Sequence, residues 1–403
     1  MLYIYCLHLI KNVSYKTKVR NMKIIYFTSF FTTDSDFPLI KEYQKRNVDV
    51  VYCLMATRYE KCAGLINLTE KLKTGIYKAS QLQSFYAYKN YINLEKVFVF
   101  YNDSKHRRDL KSLLFHIKVY HFLNSQKADI IHFGWYQRFF GKIFYHLPLK
   151  KFLTVHDPLE HSGNGNLSIE KDRRKAFSIM DRLILLNKYQ INEFSKFYEI
   201  PLDKIVVNKI GYYDYLKQLV AENRTKRYRN ILFFGYIREY KGLEYLCKAM
   251  IHVHAKYPDV KLVIAGGGNV YFDWKPYENL SYIEFKNYFI DLPELAELLN
   301  DCYFSVCPYK DATQSGVVQT AFSMDVPMIV TNVGALPEVV QNEYNGLVVP
   351  PCDSISLASA ICDLLEHPDK LSFMKDNIKN VWQVKMSWEQ IADVNLSSYQ
   401  SLL

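Results

Sequence analysis

The sequence predicts an α/β fold in which two Rossmann-like, doubly wound domains face each other across a cleft. From Met22 onward, short apolar runs alternate with longer segments of helical period, the pattern of parallel sheets covered by helices. A charged stretch without apolar periodicity, 221–230, divides the chain into two halves. The 403 residues, of which 49% are hydrophobic and 23% charged, are enough for two cores of ordinary size.

The first half, 22–220, is predicted to place helices between seven strands. The strand candidates are apolar runs at 23–28, 49–54, 96–99, 129–133, 151–155, 182–186 and 204–207. The clearest helical pattern covers 106–125. There Leu110, Leu113, Leu114 and Ile117 recur at helical spacing and are expected to form one apolar face.

The second half, 231–385, repeats the alternation. Strand candidates are 231–235, 260–265, 281–285, 303–308, 328–331 and 347–349, and helix candidates are 241–256, 291–300, 315–325, 354–366 and 368–380. Two such domains bring the carboxyl ends of both sheets to the cleft, where open α/β sheets bind their ligands.

Segment 1–21 is predicted to be a spurious or flexible leader, with Met22 as the true start. It carries four basic residues and no acid, and its apolar stretch 2–10 is too short to span a membrane. It also lacks the small-residue cleavage site of a secretory signal. The alternative interpretation is a short basic arm that lies on a membrane surface.

Composition excludes several classes of protein. No apolar run approaches the roughly 20 residues of a membrane span. The eight cysteines form no CxxC pair, so reduced, buried thiols are expected, as at Cys53, Cys302 and Cys307. No zinc-protease, serine-hydrolase or P-loop motif is present.

Three strand ends in the second half carry candidate ligand-binding residues. The first, FFGYIREYKG at 233–242, places Arg238 and Lys241 before a helix start, where cations and helix dipole suit a diphosphate; solvated turn residues are the alternative. The second, VIAGGG at 263–268, permits close backbone approach to a ligand or simply a tight turn. The loop 287–290, with Tyr288, either flanks a planar base or belongs to the core.

The third strand end carries the strongest pattern. The segment PYKDATQSGVVQT at 308–320 leads from a buried strand through a polar turn into a helix whose first amides can bind an anion. A similar connection, NVGALPE at 332–338, ends in a carboxylate. The alternative is two ordinary strand–turn–helix connections.

Taken in order, these motifs resemble the donor domain of the GT-B glycosyltransferases of family 4. The resemblance covers about 231–365 and includes the GALPE segment at 334–338 and NGLVVP at 345–350. Trp388 and Glu389 look like the family's final helix, which implies that 386–403 crosses back to the first domain.

The resemblance implies roles for individual residues. Arg238 and Lys241 would neutralise the diphosphate of a nucleotide-sugar, a form of electrostatic catalysis that needs no metal and no cofactor. The donor-binding residues it implies are Gly235, Tyr236, Gly266, Tyr288, Gln314, Ser315, Gly316, Thr320 and Glu338.

Two departures from the family pattern concern the same site. The family carries two glutamates eight positions apart, where this chain has Ala312 and Thr320. Thr320 is expected to offer a hydroxyl to a ribose, whereas Ala312 cannot replace a carboxylate. The arginine that often follows the glycine of the first motif is Tyr236 here.

In the first half, the segment FLTVHDP at 152–158 matches a strand that ends in a histidine close to the transferred sugar. We expect His156 to contact the donor sugar or the acceptor, with Asp157 orienting the ring. Glu160 and His161 follow and are expected to reach an acceptor hydroxyl. The alternative for His156 is a structural role at the strand end.

The formal charge of +10 is concentrated in part at 136–151, which holds four cations, five aromatic residues and no acid. Further cations lie at Lys105, Arg107, Arg108 and Lys111. Basic residues interleaved with aromatic ones predict peripheral contact with an anionic membrane. The alternative is a helix that covers the sheet and shows cations to water. Nucleic acid is not expected as a partner, because no nucleic-acid-binding module is recognised.

The resemblance and these residues predict a metal-independent hexosyltransferase-like enzyme, acting with retention. It would move a sugar from a nucleotide donor to a saccharide or lipid-linked saccharide in cell-surface polysaccharide synthesis, at the cytoplasmic face of the membrane. The alternatives are a catalytically silent relative that acts as a scaffold and a sugar-nucleotide epimerase of the same fold.

Overall fold

A computed structural model describes residues 22–59, 62–63, 65–159, 167–186, 188–220, 229–312 and 316–403. The predicted leader 1–21 and most of the linker therefore lie outside the described residues. Strand β11 begins at Arg229, so the linker ends earlier than the predicted 230. No helix in the described part of the chain is long and apolar enough to cross a membrane.

The first sheet has eight strands in the order β10-β9-β8-β7-β1-β2-β6-β5. All neighbours pair in parallel except β5, which is antiparallel to β6. Its strands are β1 (Lys23–Ser29), β2 (Asp49–Thr57), β5 (Gly75–Lys78), β6 (Val97–Asn102), β7 (Ile130–Phe133), β8 (Lys150–Val155), β9 (Arg182–Leu185) and β10 (Ile205–Val207); β3 (Cys62–Ala63) and β4 (Ile66–Asn67) form a separate ribbon.

The second sheet has six parallel strands in the order β13-β12-β11-β14-β15-β16. They are β11 (Arg229–Phe234), β12 (Val260–Ala265), β13 (Ile283–Lys286), β14 (Cys302–Cys307), β15 (Met328–Thr331) and β16 (Gly346–Val349). The two parallel sheets confirm the predicted fold class.

The helices follow the alternation with the strands. Those of the first half are α1 (Thr33–Lys45), α2 (Leu110–Ser125), α3 (Leu167–Ile179) and α4 (Ile191–Tyr198). Those of the second half are α5 (Leu243–Lys256), α6 (Leu292–Asp301), α7 (Gly316–Ser323), α8 (Leu336–Val339), α9 (Ser354–Glu366) and α10 (Pro368–Asn377). After a π-helical turn, Ile378–Trp382, come α11 (Gln383–Lys385) and α12 (Trp388–Gln400).

The predicted apolar face of α2 is wrong. Phe115, Val119 and Leu123 are buried against the sheet, whereas Leu110 and Leu114 are 70% and 57% exposed. The buried apolar residues of this helix recur every four positions, and Leu110 and Leu114 lie on the opposite side. Helical spacing alone could not decide between the two faces, because both are apolar.

Helix α12 crosses back to the first sheet, as the resemblance implied. Its Trp388, Ile391, Leu396 and Tyr399 belong to the same buried cluster as β1 and β2. The Tyr399 hydroxyl is hydrogen-bonded to His132 of β7, and Asn208 Nδ2 donates to Asn395 Oδ1 at 2.8 Å. These buried bonds fix the helix in a single position.

The polypeptide passes between the domains at 208–217. A Cβ on Gly211 would lie 2.4 Å from the Trp388 ring, so only glycine allows this close packing. The Tyr213 amide donates to Ser323 Oγ at 2.6 Å, and Lys217 pairs with Asp325 at 2.8 Å. These contacts join the crossing segment to the end of α7.

Candidate functional site

The carboxyl end of β11 is a tight glycine turn that touches the neighbouring strand end. Gly235 has φ +108°, and its amide donates to the Ala265 carbonyl at 2.9 Å. A Cβ on Gly266, which has φ +151°, would lie 2.2 Å from the Gly235 oxygen. Both predicted glycines therefore allow the backbone of two neighbouring loops to meet.

Lys241 is buried directly against this turn. A Cβ on Gly235 would lie 2.8 Å from Lys241 Nζ, and the Tyr309 ring centroid lies 5.2 Å from the same atom. Burial lowers the pKa of Lys241 below the ordinary lysine value. No carboxylate of the described residues forms an ion pair with it, so the ammonium group is available to an anion.

Arg238 supplies a second cation, which is exposed. Its guanidinium lies 4.8 Å from the centroid of Tyr236, and it has no ion pair with any described carboxylate. Lys310 differs, because it pairs with Glu244 at 3.1 Å and Glu239 at 3.4 Å. The structure thus distinguishes two available cations from a neutralised one nearby.

The start of α5 follows the two cations, as the sequence predicted. The cations come from the 3₁₀ turn Glu239–Lys241 and the residue before it. At the start of the helix the Leu243 amide is bonded to the Tyr271 hydroxyl at 2.8 Å, and Glu244 lies in the first turn.

Helix α7 begins beside the same turn. A Cβ on Gly235 would lie 3.6 Å from Val317, and a Cβ on Gly316 would meet no atom of the described residues within 4 Å. Among those residues, nothing blocks a ligand from approaching Gly316. The predicted residues Gln314 and Ser315 lie outside the described residues.

The two positions that depart from the family pattern are both engaged locally. Ala312 is buried, and its carbonyl packs on the Gly334 turn so closely that no Cβ would fit there. Thr320 Oγ1 donates to the Gly316 carbonyl at 2.7 Å, so its hydroxyl can only accept a further hydrogen bond.

Tyr288 and Phe289 form an exposed aromatic pair after β13. They are 48% and 79% exposed, and the Tyr288 hydroxyl donates to Glu294 at 2.7 Å. A Cβ on Gly267 would lie 3.4 Å from the Tyr288 backbone, which places this loop beside the glycine turn. The alternative that this loop belongs to the core is therefore wrong.

His156 follows β8 on the first-domain side of the cleft. Its Nε2 lies 3.1 Å from the Gly134 carbonyl, its ring centroid lies 5.3 Å from that of Trp135, and burial lowers its pKa. The Gly134 carbonyl is bonded to the ring, and the Asp157 carbonyl accepts from Arg173 at 2.5 Å. The charge of Asp157 acts on the pKa of His156 in the direction opposite to burial and raises it, and the orienting role of Asp157 stays a prediction.

Sequence reasoning missed Gly134, Trp135 and Arg173. The available signal was the segment HFGW at 132–135, a strand that runs into a glycine and an aromatic residue. A Cβ on Gly134 would lie 2.5 Å from Thr28 Oγ1, so the strand ends of β1 and β7 meet closely there. The predicted Glu160 and His161 lie outside the described residues.

Glu338 lies in another part of the cleft. Its Oε2 accepts a hydrogen bond from the Lys188 amide of the first half at 3.3 Å, and it lines an interdomain cavity with Gln319. Among the described residues, no group of three or more His, Cys, Asp or Glu side chains could hold a metal ion.

Comparison with known proteins places these features in context. Residues 228–367 match the family model described as glycosyl transferases group 1. The chain superposes on sucrose-phosphate synthase from Thermosynechococcus elongatus with a TM-score of 0.68 and 16% identity, covering 94% of this chain and 99% of that one. The molecule has the GT-B fold, and its residues 228–367 are similar to the glycosyl transferases group 1.

Two further similarities extend over most of this GT-B protein. An uncharacterised glycosyltransferase of Methanocaldococcus jannaschii is 27% identical over 305 residues, 69% of this chain and 76% of its own. Anabaena HepE, solved in complex with UDP, superposes with a TM-score of 0.65 and 16% identity over 95% of this chain and 100% of its own. The more specific assignment to family 4 stays a prediction.

Proposed function

We propose that this GT-B protein transfers a sugar, with retention and without a metal, from a nucleotide-sugar to a saccharide or lipid-linked saccharide acceptor. The observation that carries the proposal is the pair of available cations: Lys241, which lies against Gly235 beside the start of α7, and the exposed Arg238 three residues before it. As the bond to the sugar breaks, negative charge develops on the departing diphosphate. Preorganised cations at that point stabilise the transition state more than the ground state.

The first donor to test is a UDP-sugar, because the solved HepE complexes contain UDP, UDP-glucose, and UDP with glucose. The aromatic pair Tyr288 and Phe289 beside the glycine turn could stack on a base. His156 faces the cleft from the first domain and is proposed to contact the transferred sugar.

Thermal stabilisation by UDP-, GDP- and ADP-sugars tests donor binding, and product analysis with acceptor panels tests transfer. Arg238→Ala and Lys241→Ala should each abolish transfer while the fold is kept. No stabilisation by any nucleotide would favour the silent scaffold, and conversion of the donor without an acceptor would favour the epimerase.

Membrane contact is proposed at the second of the two basic segments that the sequence offered. In the first, 136–151, Arg138 and Lys142 both pair with Asp172, and Phe144 and Tyr145 are buried. These four residues contribute to the fold, so the segment around Arg107 and Arg108 is favoured as the place of contact.

The exposed alternative is the docking face, which we define as Arg107, Arg108, Leu110 and Leu114 at the start of α2. Both leucines project into solvent, and both guanidinium groups lie within 6.0 Å of the Phe139 ring centroid. Apolar side chains flanked by cations suit an anionic bilayer surface. An acceptor attached to a lipid would then be brought to the cleft.

A further inference from the structure

A cavity of about 570 Å³ lies between the two domains, away from the glycine turn. This size suits a small saccharide, since small-molecule sites typically occupy roughly 300–1,000 Å³. The ends of β9 and β10 form one wall, and α7, α8 and the segment around α11 form the other. The residues used below are Lys188, Lys209, Gln319, Glu338, Trp382 and Lys385.

The cavity wall is cationic. Lys188, Lys209 and Lys385 are exposed, and none of their ammonium groups forms an ion pair with a described carboxylate. Glu338 is the single acidic residue among the described lining residues, and its Oε2 already accepts from the Lys188 amide. Three lysines and a single carboxylate give the lining an excess of positive charge, which favours a bound anion.

The wall also suits a hydroxylated ligand. Gln319 Oε1 and Trp382 Nε1 are buried and have no hydrogen-bond partner within the described part of the chain. Both atoms have almost no accessible surface, and buried polar groups without partners cost free energy; a side-chain rotation that brought them to the hydroxyls of an occupant would remove that cost. Trp382 contributes an apolar surface as well, and sugar rings present C–H groups to such surfaces.

The cavity leads to the reacting side of the cleft. Leu186, Asn208, Lys209 and Ile210 line both this cavity and a smaller one whose wall includes His156. A ligand held by the lysines could therefore extend towards His156. The cavity is thus placed on the acceptor side of the proposed reaction.

We propose that this cavity binds the acceptor, and that the acceptor is a saccharide carrying an anionic group, a phosphate or a carboxylate. The role of this ligand as the acceptor rests on the proposed function, whereas the binding of an anionic saccharide in the cavity does not. Lys209 and Lys385 hold the anion, and Gln319 and Trp382 contact the sugar.

The test titrates the full chain with glucose 6-phosphate, glucuronic acid, glucose and inorganic phosphate, followed by thermal shift and tryptophan fluorescence. An anionic sugar should bind at least about tenfold more tightly than glucose, as expected for one charge-assisted hydrogen bond. Comparing the phosphorylated with the carboxylated sugar identifies the anion. Inorganic phosphate should bind more weakly than glucose 6-phosphate, because it lacks the sugar contacts.

Three variants locate the site. Lys209→Gln and Lys385→Gln should each weaken binding of the anionic sugar by about tenfold and leave UDP binding unchanged. Lys175→Gln, on the exposed face of α3, is the matched control and should change neither. Unchanged binding in both cavity variants, or no preference for anionic sugars over glucose, would overturn the inference. Either result can coexist with normal UDP binding, so the proposed function is judged separately by the nucleotide titration.

Discussion

At the scale of single residues, Lys241 is a cation whose burial opposes folding and serves binding. Its pKa in the folded chain lies below the unfolded value, so the unfolded chain holds this proton more tightly. The free energy of unfolding therefore rises as pH increases through the interval between the two values. A neutral side chain of similar length removes this cost at pH 7.

We therefore expect Lys241→Met to lose transfer by roughly 100- to 1,000-fold, the usual effect of deleting a transition-state charge contact, while its melting temperature stays the same or rises. Transfer assays and thermal unfolding at pH 7 measure the two effects. Lys248→Met, on the exposed side of α5, is the control and should keep both values. A variant that unfolds at lower temperature and still transfers sugar would contradict the assignment.

Gly266 and Gly316 are glycines for different reasons: a side chain at 266 would clash with the backbone, whereas one at 316 would not. In Gly266→Ala the methyl group would meet the Gly235 oxygen at 2.2 Å in a backbone conformation that alanine rarely adopts. We expect a loss of roughly 1–3 kcal/mol in the free energy of unfolding and weaker nucleotide binding, both measurable by denaturant titration with and without UDP. Gly316→Ala meets no described atom within 4 Å, so it should be neutral or slightly stabilising, whereas its methyl group enters the space left open to a ligand and should weaken UDP binding. The reverse order of stability would refute this account.

Residues lie where the sequence predicted them when a neighbouring strand end determines their position. The glycines at 235 and 266 and the cations at 238 and 241 were found from strand ends and spacing, because a strand fixes where its next residues lie. The Gly134 contact to His156 was missed because it joins neighbouring strands whose register the sequence does not contain.

At the scale of elements, α12 depends on a buried histidine. Burial lowers the pKa of His132 to about 3, and its ring is bonded to Tyr399 and, at 2.8 Å, to Thr154 Oγ1. Since the ordinary histidine pKa is about 6.5, the unfolded chain takes up a proton between about pH 6.5 and pH 3 that the folded chain does not. His132 thus lowers stability by about 1.4 kcal/mol for each pH unit below 6.5.

We expect His132→Asn to be less stable than wild type at pH 7, because both bonds are disturbed, and the difference to shrink or reverse near pH 5. Urea unfolding at the two pH values measures it. His121→Asn, at an exposed position of α2, is the control and should leave the pH profile unchanged. A difference between His132→Asn and wild type that stayed constant from pH 7 to pH 5 would exclude His132 as the source.

The type and order of the helices and strands could be predicted from the sequence. Which face of a helix packs against the sheet was harder to predict. Strands such as β12 are apolar apart from the exposed Lys261 near its start, because a parallel sheet is covered on both sides. The helix at 110–125 carries apolar residues on two sides, and only packing selects Phe115 and Val119 for the core. The missed edge strand Gly75–Lys78 is short and half-buried, so its apolar pattern is weak.

At the scale of the whole molecule, the positive charge of +10 is distributed among several separate surfaces. The donor cations and the lysines of the interdomain cavity lie along the cleft, whereas the docking face lies at the start of α2. These surfaces could not be separated from the sequence alone, since the ion pairs that neutralise Arg138 and Lys142 involve Asp172 on α3, far along the chain.

The docking face predicts peripheral binding that depends on both charge and apolar contact. Arg107→Ser with Arg108→Ser should weaken binding to vesicles of phosphatidylcholine and phosphatidylglycerol by roughly tenfold or more, at about 1 kcal/mol for each basic residue near an anionic surface. Leu110→Ser with Leu114→Ser should weaken it as well, because exposed leucines gain free energy on entering the interface. Co-sedimentation at low and high salt measures both.

High salt should weaken vesicle binding by the wild type and by the leucine variant. It should have less effect on the arginine variant, because salt screens charges and that variant has lost two of them. Ile355→Ser is the matched control, since Ile355 is also 70% exposed but lies on α9 of the second domain. Its binding should equal that of wild type. If the control lost as much binding as the leucine variant, or if neutral vesicles bound as well as anionic ones, the docking face would lie elsewhere.

Assays with an acceptor attached to a lipid show whether docking also raises the rate of transfer, as expected when acceptor and enzyme share a surface.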